Sequence, residues 1–120
     1  MKLGPEDQEH IAIVEYARYK ANQDPRWRNL IHVPNEGKRS WVQGKLQRLK
    51  GLRAGVSDFL LLVPNSCYHG FALELKIKPN KLTEHQKSFL DDLQAQKYCI
   101  AVAWSAEEAI KLLEAYLSYK

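Results

Sequence analysis

A chain of 120 residues with 45% hydrophobic and 27% charged side chains has the composition of a folded protein, and its length suits one domain over residues 1–120. No stretch approaches the roughly 20 apolar residues of a membrane span, and the opening Met1-Lys2-Leu3-Gly4-Pro5-Glu6 lacks the apolar region of a secretory signal, so a cytoplasmic protein is expected. The formal net charge is +4, and the excess is local: over residues 26–53 eight Lys or Arg residues face one acid, Glu36, which suggests a polyanionic partner. Cys67 and Cys99 are too few for a four-thiolate zinc site and read as reduced thiols.

Pro5 followed by Glu6 and Asp7 predicts a helix start with its acids in the first turn, running over 5–20, with Ile11, Val14 and Ala17 or Ile13 and Tyr16 as its apolar face. Leu30-Ile31-His32-Val33 reads as a strand ended by Pro34. Val42, Leu46 and Leu49 recur at helical spacing before Gly51, a C-terminal cap, and this helix carries Lys45, Arg48 and Lys50. Asp58-Phe59-Leu60-Leu61-Leu62-Val63 and Phe71-Ala72-Leu73-Glu74-Leu75-Lys76-Ile77 are apolar runs that suit two central strands joined as a hairpin. Thr83 and Gln86 form a capping box ahead of Phe89, Leu90 and Leu93. Residues 98–104 make another strand, and Ser105 with Glu108 opens a last helix carrying Ile110, Leu113 and Leu117. The order α, β, α, β, β, α, β, α implies an α/β fold with a mixed central sheet flanked by helices.

Glu74 and Lys76 stand two apart in an otherwise apolar strand, so they share one face while Leu73, Leu75 and Ile77 take the other. Charges buried there cost several kcal/mol unless paired or metal-bound. A mutual ion pair would explain a lone Glu-x-Lys, but Asp58 opens the preceding strand after a tight Gly55-Val56-Ser57 approach, where the backbone is expected to come close to whatever the acid holds, and antiparallel pairing brings Asp58 to the same sheet end. Asp58, Glu74 and the backbone carbonyl of Leu75 form a hard, all-oxygen donor set that suits Mg²⁺ or Mn²⁺. Such an ion serves phosphodiester hydrolysis, and Lys76 beside it would orient water or stabilise charge on phosphate.

Gly55-Val56-Ser57-Asp58, then Glu74-Leu75-Lys76, then Gln86 resemble the motifs of the PD-(D/E)XK nuclease superfamily, and more closely its virus-type replication-repair nuclease (VRR-NUC) family. The resemblance extends to Pro5-Glu6, to Val33-Pro34-Asn35-Glu36-Gly37 and to residues 98–110, with Ser57 where the family usually has proline. It implies a restriction-endonuclease-like core, with Glu6 as the metal-site acid from the first helix and Gln86 as the polar residue near the catalytic lysine. On the residues alone Glu6 could equally be an acid complementing the helix dipole, and Glu9 is the substitute.

Within the family the segment around Glu36, Lys38 and Arg39 lies near the site, giving Glu36 a supporting role and Lys38 and Arg39 phosphate contacts. Lys45, Arg48, Lys50 and Arg53 extend the expected DNA surface. Trp27 and Trp41 flank it as core residues or stacking platforms, and His32, His69 and His85 show no ligand spacing. The stand-alone, phage-type members that the chain resembles are dimers that cut four-way (Holliday) junctions, so branched DNA and a homodimer are expected here. A flap-type or restriction-type nuclease and a non-catalytic DNA-binding module are the rival readings. For the dimer, Leu112, Tyr116 and Tyr119 on the last helix offer a candidate face beside the core stripe.

Overall fold

The computed structural model describes residues 2–34 and 40–119. Helix α1 (Pro5–Lys20) starts on proline and places Glu6 and Asp7 in its first turn and Arg18 and Lys20 in its last, a charge order that complements its dipole. A 3₁₀ turn (Pro25–Asn29), capped by the Asp24 side chain, leads into β1 (Leu30–His32). Helix α2 (Trp41–Leu49) follows an Ser40 cap, then come β2 (Phe59–Leu61), β3 (Phe71–Leu75), α3 (Glu84–Ala95), β4 (Cys99–Ala103) and α4 (Ala106–Ser118). The element order is the one expected from the sequence.

The sheet runs β1-β2-β3-β4, antiparallel across β1–β2 and β2–β3 and parallel across β3–β4. The two-residue period of β3 divides its side chains. Phe71, Leu73 and Leu75 join the main core with Ile13 and Ala17 of α1 and Leu113 and Leu117 of α4, whereas Ala72 packs with Phe89 and Leu90 of α3. Three layers result, with α1 and α4 on one face and α3 on the other. Among the described residues no helix is long and apolar enough to cross a membrane.

The strands are shorter than their apolar runs. At one end of the hairpin, β2–β3 pairing stops at Phe59 opposite Leu73, and the next backbone donors, Asp58 N–H and Leu75 N–H, turn to side-chain carboxylates. The capping box of α3 is complete, with Thr83 Oγ1 accepting from Gln86 N–H and Gln86 Oε1 accepting from Thr83 N–H.

Two expectations need correction. The face of α4 suggested for dimerisation is not free: Tyr116 lies in the core, its hydroxyl donating to the Val63 carbonyl at 2.6 Å, and Leu112 packs against that core, leaving Tyr119 exposed. The closeness at Gly55 is not to a ligand but to the start of α3. Gly55 has φ +84°, and a Cβ there would collide with the backbone of His85 and Gln86. Ser57 is buried and donates to the Phe59 carbonyl at 3.0 Å, which fixes the turn before Asp58.

A pair of alanine substitutions isolates this docking. Gly51 also has positive φ (+106°) but open space around it, so Gly51→Ala should cost only the backbone strain of about 1–2 kcal/mol. Gly55→Ala adds the collision with α3 and should lower the urea midpoint distinctly further. Equal losses in the two variants would show that the Gly55–α3 contact contributes nothing.

Candidate active site

Asp58 is fixed through its backbone and its side chain. Its carbonyl accepts from Val33 N–H at 2.9 Å and lies 3.1 Å from His32 Nδ1, its N–H donates to Glu74 Oε1 at 3.2 Å, and its Oδ2 accepts from Leu75 N–H at 2.9 Å. Glu74 is only 4% exposed, and its second oxygen accepts from Gln86 Nε2 at 3.1 Å, with Lys76 Nζ 3.9 Å away. The capping box aims this glutamine. Because Oε1 of Gln86 is taken by Thr83 N–H, its amide nitrogen is the end presented to Glu74.

These groups open onto a cavity of about 360 Å³ bounded by Asp58, Glu74, Lys76 and Gln86 on the sheet side and by Glu6, Asp7 and His10 of α1 on the other, with His32 between. The expected residues Asp58, Glu74, Lys76, Gln86 and Glu6 therefore meet in one place. Of the two candidate acids on α1 it is Glu6 that lines the cavity; Glu9 turns to α4 and accepts from Ala106 N–H at 3.1 Å.

Burial and then the facing charge of Asp58 push the Glu74 carboxyl up to about 8, against a smaller opposing pull from Lys76. Glu6 is raised by burial and by Asp58, and His10 is lowered by burial and by His32. Negative charge is thus crowded at Asp58 and Glu74 beyond what one lysine balances. That is the electrostatic setting a divalent cation would complete, and two carboxylates suffice for Mg²⁺, which retains water and takes further oxygens from phosphate. Among the described residues no three His, Cys, Asp or Glu side chains gather as a ligand cluster, and Glu6 shares the cavity lining with Asp58 and Glu74.

The proposed DNA contacts lie in two groups. Lys45 sits 5.4 Å over the Trp41 ring, Arg48 and Lys50 are exposed along and after α2, and Arg53 is ion-paired with Asp92 and stacked over Phe89. Glu36, Lys38 and Arg39 lie outside the described residues.

Asp7, His10 and His32 line the cavity although no motif marks them. His10 stacks on Phe59 with centroids 4.5 Å apart and meets His32 edge-on at 4.3 Å. The available signal was positional: His10 falls one turn after Glu6 on the stripe that ends in Ile13 and Ala17.

A mixed sheet layered between helices, holding two carboxylates, a lysine and a glutamine at the open end of its central strands, defines the nuclease-type α/β class. The VRR-NUC domain model matches residues 5–107, and the chain belongs to that family of nucleases. A solved structure titled VRR_NUC domain protein shares the fold at a TM-score of 0.78 and 23% identity, covering 98% of this chain and 92% of its own. No curated protein matches.

Glu74 also sets a stability profile. Its carboxyl titrates higher in the folded chain than in the unfolded one, so the folded state holds the extra proton and stability falls as pH rises from the ordinary carboxylate range to about 8. In EDTA, urea unfolding should show Glu74→Gln matching the wild type near pH 5 and exceeding it at pH 8. A Gln variant that is weaker than wild type at pH 8 would mean that the carboxylate pair is not under charge strain.

Proposed function

We propose that this protein is a Mg²⁺- or Mn²⁺-dependent endonuclease that hydrolyses phosphodiester bonds in branched DNA, four-way junctions in particular, and acts as a homodimer. The observation that carries the reading is the Asp58–Glu74 pair, bound to each other's strand ends beside Lys76 and unbalanced in charge. Asp58, Glu74 and the Leu75 carbonyl would hold the ion, with Glu6 reaching it through water. A bound ion supplies charge neutralisation at the phosphate and a more acidic water.

The chain's own groups do the rest. Lys76, largely buried beside Glu74, orients the attacking water or meets charge developing on the phosphate, and Gln86 keeps Glu74 in its rotamer without neutralising it. Lys45, Arg48, Lys50 and Arg53, with Lys38 and Arg39, contact phosphates outside the cavity and set affinity, not rate.

A junction requires paired cuts, whereas each chain offers one such site, so two sites related by a two-fold axis suit the task. Helix α2 offers the surface. It has no buried residue, and it turns its polar side inward: Gly44 and Gln47 are the part-covered positions, while Trp41 (73% exposed), Val42 (68%) and Leu49 (76%) face solvent with Leu46. An outward apolar arc of this kind is what an isologous contact covers.

Two experiments test the reading. On a synthetic four-way junction with Mg²⁺ or Mn²⁺, Asp58→Asn and Glu74→Gln should abolish cutting with circular dichroism unchanged, and Lys76→Ala should lower turnover by about 10² or more while leaving binding nearly intact. Near wild-type cutting by either carboxylate variant would remove the assignment. By light scattering the wild type should run at twice 13.9 kDa and Val42→Asp/Leu49→Asp at 13.9 kDa; a wild-type monomer with and without junction DNA would leave paired cutting without a basis.

A further inference from the structure

The trough along α1 does not end at the catalytic cavity. Where Glu6, Asp7 and His10 give way to Ala17 and Arg18, a second cavity of about 310 Å³ opens, and the two share His32 as a common wall. Its walls are apolar, formed by the half-buried Val14, Ala21 and Leu30 over the covered rings of Trp27 and Phe59, and its one exposed aromatic group is His32. Its rim is cationic, with Arg18 from α1 and Arg28 from the 3₁₀ turn, both exposed. Neither arginine has an ion pair among the described residues, whereas neighbouring Arg26 is tied to Asp24 and to the Leu117 carbonyl. The segment thus commits one arginine to the fold and leaves another at the mouth of a hollow.

We propose that this cavity receives one nucleobase of the strand being cut, from a nucleotide beside the scissile phosphate, with Arg18 and Arg28 on the adjoining phosphates. The inference rests on the nuclease reading above. Apolar walls and the exposed imidazole ring of His32 accept a base without reading its identity, and guanidinium groups at the rim match the anionic backbone that accompanies the base. A base must leave its stack to enter, which costs least where pairing is already interrupted. Selectivity for branch points then arises in the chain itself: DNA whose base is free to turn out seats its phosphate over Asp58 and Glu74, and intact duplex does not.

The test has two arms. In the first, an abasic residue is walked through the nucleotides flanking the cleaved bond of a branched DNA. Wild-type cutting should fall about tenfold at one position, the worth of one base on an aromatic wall. Ala21→Leu, which fills the cavity from the residue that caps the end of α1, should lose a similar factor on intact DNA and become indifferent to that abasic residue. Equal rates at every position, or an Ala21→Leu enzyme that still senses the missing base, would overturn the proposal.

In the second arm, methyl NMR of the metal-free protein follows Ala17, Ala21 and Leu30 during addition of deoxyadenosine 5′-monophosphate or deoxyribose 5-phosphate. The nucleotide should shift these signals and the sugar phosphate should not, with the response weakened in Arg28→Ala. No shift, or the same shift from both compounds, would overturn the base-binding assignment. Because this arm needs no cleavage, a failure of the nuclease reading alone would appear as no cutting of any DNA with the NMR response retained.

Discussion

Two backbone N–H groups at the end of the β2–β3 ladder are answered by carboxylates in place of carbonyls, and the site follows from that exchange. Asp58 N–H donates to Glu74 and Leu75 N–H donates to Asp58, so each acid is anchored on the other's strand. An unpaired backbone donor at this depth would carry a substantial penalty, and the sheet cannot close further without displacing the two side chains. The same bonds therefore stop the strands, satisfy the backbone and hold two anionic oxygen donors side by side. Gly55 brings the loop before Asp58 against the first turn of α3, and the capping box of that helix sends Gln86 back to Glu74. Sheet end, loop and helix start are thereby coupled through three residues.

Much of this was legible because the sequence carries local rules with long-range consequences. Pro5, the Thr83–Gln86 box and Ser105 each mark a helix start by satisfying or removing orphan donors, and the structure begins α1, α3 and α4 there. Glu74 and Lys76 stand out because a two-residue period forces charged groups out of an apolar strand onto one face. His10 carried a positional signal, one turn after Glu6, whereas Asp7 and His32 escaped because their convergence depends on how α1 crosses the sheet, which is tertiary geometry that no spacing encodes. The Gly55 approach was read correctly as a close contact and assigned to the wrong neighbour, since a positive φ records crowding but not its source.

Helices α2 and α4 mark a second limit. Apolar periodicity says that a helix has a face to cover and is silent on what covers it. In α4 the stripe is wide enough to bury Tyr116, whose hydroxyl finds the Val63 carbonyl. In α2 an equally amphipathic pattern points away from the body, with Gln47 and Gly44 turned inward. The same pattern thus fills the core in one helix and leaves an apolar arc in solvent in the other.

The choice of groups around Glu74 shows why the site tolerates its own cost. A lysine in tight contact with the carboxylate would cancel the repulsion from Asp58 and yield a stable ion pair, but it would also use up the charge on which the proposed cation binding depends. Here Lys76 stops at 3.9 Å, and the close donor is the neutral amide of Gln86 at 3.1 Å. A neutral hydrogen bond fixes geometry with a net contribution of only about 1 kcal/mol, so it positions the carboxylate and leaves its affinity for a proton or a metal ion high. The Glu74 carboxyl is accordingly raised, first by burial and then by Asp58, with Lys76 offsetting only part of the rise. Stability given up at one buried residue is what keeps the cavity chemically open, and the well-packed cores on the two faces of the sheet carry the fold meanwhile.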